Sequence, residues 1–430
     1  MATAQNDALF FGGLFLGDLR IRNQTGLIDH RNQIVTDDIE NKYRTENSML
    51  LDLNSGILII GFAQGIFLAV SIGLHKQGPV KANRFLALLL LAFTVALSVH
   101  FLSVTQLWKI YFLYHILASS VMFMFGPLIY FYVRQLTLPQ TNFSQGQLTH
   151  FIPVTMNLIL FFPLLQLPNL EIVASLDKPL DSGAGSLLLP ILKVSSVSIY
   201  TLLSLRLWFL HFQRIRQHFS DLDKKSLLWL RNLLVGFLSF EIIFAGTLIF
   251  GIDLSQIPGE IDTLLSVILI LLIFMTGFHG LQQPEIFRGL SSAETVTFKA
   301  EIEPTRIVDE KYKSSNLNEQ DKRIIDAALK KLVLQDKVFF ERFLDLRMLA
   351  EKVKVTPHQL SQYLNEVMKL SFYDFINQHR VEAAKISLCN SRQAILDIAL
   401  IVGFNNKATF NKSFKKYTGM TPSQYRSENQ

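Results

Sequence analysis

The chain is poor in cysteine and in charge, and each shortage excludes a class of protein. Its single cysteine, Cys389, cannot form an intrachain disulfide or a cysteine-based metal site, which excludes a small disulfide-stapled fold. Only 18% of the 430 residues are charged, whereas 50% are hydrophobic and 35 are Phe. Soluble domains are about a quarter charged, so we do not expect an ordinary soluble protein over the whole length.

The apolar and the charged residues occupy different parts of the chain. Residues 51–283 are almost continuously apolar, whereas residues 319–430 contain 18 Lys or Arg against 12 Asp or Glu. The mixed-charge stretch 284–318, with Ser, Thr and Pro, is typical of a linker. The sequence therefore predicts an all-α protein with a tail over residues 1–50, a membrane domain over 51–283, this linker, and a basic C-terminal domain suited to a polyanion.

The apolar region contains seven segments that are long enough to cross a bilayer. A hydrocarbon core of about 30 Å requires about 20 apolar residues per helix. The fourth segment is the shortest and contains two prolines. The predicted membrane helices cover about 55–74, 84–104, 110–134, 149–167, 187–211, 227–250 and 261–281.

Lys and Arg in the short loops predict the orientation of these helices. The loops after segments one, three and five hold eight of them, and the loops after segments two, four and six hold two. Basic loops face the cytoplasm. The N-terminus is therefore predicted outside and the C-terminal domain in the cytoplasm. Residues 1–48 resemble no signal peptide, and we expect translation to start at Met49.

Lys193, Glu241 and His115 are the functional candidates among the ionisable residues of the predicted membrane helices. Lys193 and Glu241 lie at comparable depths in neighbouring segments, and His115 lies nearer the outer end of segment three. Such groups are costly in lipid and are functional candidates by default. Lys193 and Glu241 are predicted either to form part of a signal pocket or to pair and hold two helices together.

The sequence gives no sign of catalysis. It has no glycine-rich ATP-binding motif, so a kinase is not indicated. We expect no enzyme activity, no cofactor and no metal site.

The C-terminal domain contains a predicted helix-turn-helix. Asp345 can cap a helix over 346–353, and Thr356 with Pro357 and Gln359 forms a capping box for the next helix. Leu360, Leu364 and Val367 form the inward stripe of that helix. Its polar outer face carries His358, Ser361, Gln362 and Asn365.

This arrangement then repeats about 50 residues later. Gly403 follows a helix over 395–402 where a left-handed residue is needed, and Asn405 can cap the next helix. A long helix, about 373–388, joins the two units. Phe410 and Phe414 face inward in the second unit, whose outer face carries Lys407, Asn411, Lys412 and Lys415.

These residues resemble the C-terminal signature of AraC-type regulators. The match runs through Ile398-Ala399, Gly403-Phe404, Phe414-Lys415-Lys416, Thr421-Pro422 and Tyr425-Arg426, and 375–385 is similar to that family's linker helix. The resemblance covers roughly the last 110 residues. It implies that two recognition helices enter adjacent major-groove segments of double-stranded DNA.

Residue by residue, the resemblance implies two groups of DNA contacts. Ala408 departs from the family's polar residue and can at most touch a thymine methyl, and Asn405 and Thr409 stand where many members have Ser or Tyr. The implied base-reading residues are His358, Ser361, Gln362, Lys407, Ala408, Asn411 and Lys412. The implied phosphate contacts are Arg392, Lys415, Lys416 and Arg426.

The expected function is a membrane-bound one-component transcriptional regulator. It is predicted to lie in the inner membrane of a bacterium, to bind DNA as a homodimer, and to sense an unknown signal through the seven helices. Two alternatives remain open. The membrane part is a transporter with an autoregulatory DNA-binding domain, or it is a scaffold that only anchors that domain or docks a partner sensor. A further possibility is that proteolysis at the linker releases the C-terminal domain from the membrane.

Overall fold

The structure is a computed structural model, and it describes residues 53–76, 78–104, 107, 111–138, 144–162, 185–223, 225–249, 261–283 and 317–429. These residues are almost entirely helical, which agrees with the all-α prediction, and no strand occurs among them beyond one isolated bridge. Residues 1–50, with the predicted start at Met49, and most of the predicted linker lie outside the described residues.

The chain divides into two compact units. The N-terminal unit comprises Met1–Leu207 and Trp229–Glu285, and the C-terminal unit comprises Trp208–Leu228 and Ile286–Gln430. The helices described in or entering the N-terminal unit are α1 (Leu53–Leu74), α2 (Val80–Val104), α3 (Phe112–Ser119), α4 (Met122–Thr137), α5 (Ile152–Phe161), α6 (Gly185–His218), α7 (Leu228–Ile249) and α8 (Ile261–Gln282).

Four stretches of these helices are long and apolar enough to cross a membrane. They are Gly56–Leu74, Val80–Leu102, Leu117–Thr137 and Leu188–His218, and they coincide with the predicted segments one, two, three and five. Ser266–Gln282, in the predicted seventh segment, is a shorter apolar helix. Seven crossings are therefore not confirmed within the described residues.

Two of the predicted segments differ from a single straight helix. The third is divided into α3 and α4, and the break falls at Ser120–Val121, where the backbone forms tighter hydrogen bonds to the third preceding carbonyl. In the fourth, a 3-10 helix (Gln145–Phe151) precedes α5. The ten residues of α5 span only about 15 Å at 1.5 Å per residue, which is half of a bilayer core.

Close contacts at small residues bring the helices of the N-terminal unit together. A Cβ atom at Gly65 would lie 2.1 Å from Thr94 Oγ1, and one at Gly280 would lie 2.3 Å from Leu86 Cδ2. Interfaces of this kind are common between membrane helices. Large apolar side chains also point away from the bundle, and Ile60 and Phe67 of α1 are 67% and 68% exposed. An outward apolar surface is suited to lipid.

The C-terminal unit begins within α6. This helix has 34 residues, about 51 Å at 1.5 Å per residue, and its part from Trp208 onward belongs to the C-terminal unit. The other helices described in this unit are α9 (Glu319–Leu334), α10 (Leu346–Val353), α11 (Pro357–Gln362), α12 (Phe372–Asn390), α13 (Ile395–Ile401), α14 (Lys407–Thr418) and α15 (Pro422–Asn429).

Two hydrophobic cores organise residues 317–429, and α12 contributes to both. The first core joins α9, α10 and α11 to Phe372, Phe375 and Ile376 of α12. The second joins Val381, Ala384 and Leu388 of α12 to α13 and α14. The repeated apolar positions are the centre of each core, since Leu349, Leu360, Ile398 and Phe410 are all fully buried.

Most of the predicted helix boundaries and caps in this unit are confirmed. Asp345 accepts a hydrogen bond from the Met348 amide, and the capping box of Thr356 and Gln359 is formed in both directions. One cap prediction is wrong: Asn406, and not Asn405, caps α14 by accepting from the Thr409 amide. Asn405 donates instead to Asp221, which the sequence pattern could not anticipate.

Candidate functional site

The first helix-turn-helix consists of α10, a three-residue turn and α11. The turn is possible because Lys354 adopts the left-handed conformation, with φ of 63°, and its amide bonds back to α10. Thr356 then begins α11. His358 is exposed on this helix, whereas Ser361 and Gln362 are half-buried.

A π-helical turn, Tyr363–Val367, follows α11 directly. It buries Tyr363, whose hydroxyl donates to Asp326 of α9 at 3.0 Å. The wider turn shifts the register, so the prediction that Val367 faces inward is wrong, and its side chain is 45% exposed. The π turn therefore changes which side chains the C-terminal end of this recognition helix presents.

The second helix-turn-helix consists of α13, a longer turn and α14. Gly403 occupies the predicted left-handed position, with φ of 97°, and lies 49 residues after Lys354. The corresponding caps, Thr356 and Asn406, are 50 residues apart, which confirms the extra turn residue. The side chains of Lys407, Ala408 and Lys412 are exposed, and that of Asn411 is half-buried.

The predicted DNA contacts fall into three groups in the structure. In the first group the side chains are exposed and form no hydrogen bond or ion pair with other described residues: His358, Arg392, Lys407, Ala408, Lys412 and Lys415. Some polar side chains bond within their own helix: Gln362 donates to Glu366, and Asn365 donates to Ser361 at 3.3 Å. Two predicted phosphate contacts are held by the protein.

These two are Lys416 and Arg426. The ammonium of Lys416 bonds to Asp374 of α12, and Arg426 donates to the carbonyl of Gln393 at 2.7 Å. A phosphate contact from either residue would require it to share or leave its protein partner.

Arg380 links the two hydrophobic cores of the C-terminal unit. This side chain of α12 is 1% exposed and donates to the carbonyls of Phe339 and Glu341, each at 2.7 Å. Its guanidinium also lies over the ring of Phe404, 5.6 Å from the centroid. The sequence placed Arg380 only within the linker-helix signature. Arg380 is four residues from both Ile376 and Ala384, which are buried, and residues four apart lie on the same face of a helix. This spacing could have indicated that the Arg380 side chain is buried.

Asp374, at the start of α12, joins several elements of the C-terminal unit. Its carboxylate accepts hydrogen bonds from Ser371, Lys416 and Tyr417 and from Arg216 of α6. Burial opposes ionisation, but these donors outweigh it and lower the pKa of Asp374 to about 2. The sequence had no periodic signal for this residue, because its charged partners Arg216 and Lys416 lie 158 and 42 residues away on either side in the chain.

In the N-terminal unit, Lys193 and Glu241 line one cavity of about 470 Å³. Glu241 is 7% exposed, accepts a hydrogen bond from Ser198 at 2.6 Å, and has a second carboxyl oxygen with no partner. The Lys193 ammonium lies 5.9 Å from the centroid of the Phe123 ring. Among the described side chains no ion pair joins Lys193 to Glu241. The side chain of His115 lies outside those described.

Comparisons with known proteins place similarity in the C-terminal unit. Residues 349–428 match the family model described as a helix-turn-helix domain. An uncharacterized HTH-type transcriptional regulator of Staphylococcus aureus (strain COL) is 38% identical over 89 residues, which is 21% of this chain and 12% of that protein. The melibiose operon regulatory protein of Escherichia coli (strain K12) is 33% identical over 87 residues, 20% of this chain and 29% of that protein.

A solved structure is also similar over this region. It is the C-terminal domain of AraT, a response regulator from Geobacillus stearothermophilus, with 30% identity over 26% of this chain and 88% of that one and a TM-score of 0.23. The chain thus spans well under half the length of the curated regulators that it matches. Residues 349–428 form an AraC-type helix-turn-helix domain of the kind that transcriptional regulators carry.

Proposed function

We propose that this protein is a membrane-bound regulator that binds specific double-stranded DNA through both helix-turn-helix units. The observation that carries this is the repeated unit itself. Each of α11 and α14 is capped, buries one face in its own core and presents a polar or basic outer face. Bases are read by such faces in the major groove. In this proposal His358, Ser361, Gln362, Lys407, Asn411 and Lys412 read bases.

The proposed place of action is the cytoplasmic side of a membrane. Four apolar helices of sufficient length support membrane insertion. Arg214 and Arg216, at the C-terminal end of α6, are two of the basic residues that mark a predicted cytoplasmic loop. They lie in the same compact unit as the DNA-binding residues, and this supports one side of the membrane for the loop and the DNA-binding residues. Tethered copies would gain effective concentration at adjacent sites, which favours the proposed homodimer.

The cavity of about 470 Å³ supports a sensory role for the membrane domain. Its lining is almost wholly apolar except for a few groups such as Lys193 and Glu241. A buried carboxyl oxygen without a partner is costly, and a bound molecule with a hydrogen-bond donor would satisfy it. An apolar ligand of small size with one or two polar groups therefore fits this cavity, and this favours a sensor over a passive anchor.

The first test is genome-wide crosslinking of the full-length protein to DNA. We expect discrete sites that disappear in a Gln362→Ala, Lys412→Ala double variant, because these side chains lie on the two proposed reading faces. The matched control, Gln320→Ala with Lys331→Ala, removes the same side chains from exposed positions of α9 and should keep the sites. An equal loss in both variants, or no sites for the intact membrane-inserted protein, would contradict sequence-specific binding.

The second test separates a sensor from an anchor. Deleting residues 1–283 is a poor test because it also removes Trp208–Leu228, which fold with the C-terminal unit. Lys193→Met and Glu241→Gln change the cavity alone, and we expect either to alter the response of the target genes across growth conditions while the protein stays in the membrane. Ser239→Ala, an exposed position of α7 outside the cavity, is the control. Unchanged regulation in all three variants would favour the anchor.

A further inference from the structure

The last residues of α6 and the residues directly after them are packed into the C-terminal unit. Phe219 forms an antiparallel bridge with Asp345, the residue that caps α10. The Ser220 hydroxyl donates to the Leu344 carbonyl, and Asn377 of α12 donates to the Ser220 carbonyl at 3.1 Å. Ser220 is 2% exposed. We call residues 216–223 the docked segment.

The ends of this segment are held as well. Arg216 bonds to Asp374 of α12 at 2.5 Å. On the other side, the indole of Trp208 donates to the Ser226 carbonyl at 2.9 Å, and the Lys225 ammonium lies 4.0 Å from the centroid of the Phe219 ring. The segment is therefore fixed both to its own loop and to the DNA-binding residues.

Two acidic side chains of the docked segment meet the turn that precedes α14. Asp221 accepts a hydrogen bond from Asn405 at 2.6 Å, and Asp223 accepts one from Asn406 at 3.4 Å. Asn406 is the N-cap of α14. The N-terminal end of a recognition helix is the end that approaches DNA, and helix N-termini together with neighbouring amide donors are favoured positions for phosphates.

The docked segment does not cover the reading face itself. Lys407, Ala408 and Lys412 remain exposed while Asp221 and Asp223 are in place. Its effect on DNA binding must therefore act through charge at the start of α14 and through the two amide donors it occupies. Both effects oppose a phosphate at the same position.

We propose that residues 216–223 are an autoinhibitory element, and that the surface formed by α12 and the turn before α14 is its docking surface. In the docked state two carboxylates hold the amides of Asn405 and Asn406 and repel the DNA backbone. Release of the segment frees these donors and raises affinity for DNA. The inference rests on the proposed function in one respect, namely that DNA is the ligand of this unit.

The test measures DNA binding by the full-length protein in nanodiscs, with fluorescence anisotropy on a duplex of random sequence of about 40 bp, long enough for two successive major-groove segments. Random sequence is suitable because non-specific affinity is set by phosphate contacts. Asp221→Asn with Asp223→Asn keeps the hydrogen-bond acceptors and removes the charges. We expect this variant to bind roughly 3- to 30-fold more tightly, from the usual effect of two charges at a helix N-terminus, with a steeper salt dependence.

A matched variant separates this effect from overall charge. Asp321→Asn with Asp336→Asn makes the same change of net charge on α9 and in the turn after it, where both side chains lie outside the docking surface. It should change affinity much less. Equal tightening in the two double variants would overturn the proposal, because net charge alone would then explain it.

Arg216→Gln gives the sharper contrast. It removes a positive charge, so a purely electrostatic view predicts weaker DNA binding. Autoinhibition predicts tighter binding, up to about 5-fold, because the ion pair with Asp374 that holds the segment is lost. Weaker binding by this variant would contradict the proposal.

Hydrogen exchange on the same samples reports the segment directly. Saturating duplex should accelerate amide exchange in residues 216–223, and unchanged or slower exchange there would argue against release. The two possible failures are distinguishable. If the wild-type protein and every variant fail to bind duplex, DNA binding itself is wrong. If all bind equally, only the autoinhibition is wrong.

Discussion

Gly403→Ala should specifically loosen the second helix-turn-helix. The residue has φ of 97°, and an added Cβ would lie 2.7 Å from the Phe339 carbonyl oxygen and 2.9 Å from Arg380 Nε. Left-handed backbone costs an L-residue about 1–2 kcal/mol, and forced overpacking costs about 1–3 kcal/mol. The lower chain entropy of alanine returns about 0.5–1 kcal/mol. We therefore expect a loss of about 2–4 kcal/mol in the free energy of opening.

The assay is hydrogen exchange by mass spectrometry on the full-length protein, which measures opening of each region separately. Amides of α13 and α14 should exchange roughly 30- to 1000-fold faster in Gly403→Ala, as that loss implies. The repeat supplies a matched control, because Lys354 occupies the equivalent left-handed position with φ of 63°. Lys354→Gly should slow exchange in α10 and α11 by a few-fold. Wild-type exchange rates in Gly403→Ala would refute the close approach to Phe339 and Arg380.

Three further changes test the contacts that hold the C-terminal unit together. Arg380→Met should destabilise both hydrophobic cores of the C-terminal unit by about 3 kcal/mol or more, because two buried carbonyls lose a charged donor. Hydrogen exchange in the helices of both cores checks this, and faster exchange in only one core would show that Arg380 does not link them. Since the pKa of Asp374 is lowered to about 2 from 3.8, its contribution is present above the unfolded value and is lost as pH falls from 3.8 through 2. Thermal melts over that range should therefore show a smaller acid dependence in Asp374→Asn, and identical slopes would count against the network. Tyr363→Phe should cost about 0.5–1.5 kcal/mol through loss of the bond to Asp326, and no change in exchange of α9 or α11 would show that this bond contributes nothing.

The sequence was sufficient for features that depend on nearby residues. The caps at Asp345 and Thr356 and the left-handed glycine at 403 follow from local chemistry, and the structure confirms them. The same local rules failed at two places. Val367 was assigned inward on a period of 3.6 residues, but the π turn at Tyr363–Val367 breaks that period.

The second failure shows how tertiary contacts decide between equivalent local choices. Asn405 and Asn406 are adjacent and chemically identical, so each could cap α14. Asp221, 184 residues earlier in the chain, binds Asn405 and leaves Asn406 as the cap. For the same reason the docked segment, the Arg380 contacts and the environment of Asp374 were not predictable: each joins residues that are far apart in sequence and lie on different helices.

Asp374 explains how docking can influence α14 without covering it. Its two carboxyl oxygens bind cations from different elements. Oδ2 accepts from Arg216 of the docked segment, and Oδ1 accepts from Lys416 near the C-terminal end of α14. Loss of Arg216 would leave Lys416 as the only cation among the hydrogen-bond partners of this carboxylate, beside Ser371 and Tyr417, and would thus change the charge balance around α14 from its C-terminal end. Asp221 and Asp223 act at its N-terminal end. One short segment therefore contacts the surroundings of both ends of the recognition helix, and the helix that carries Arg216 also carries Lys193 of the cavity.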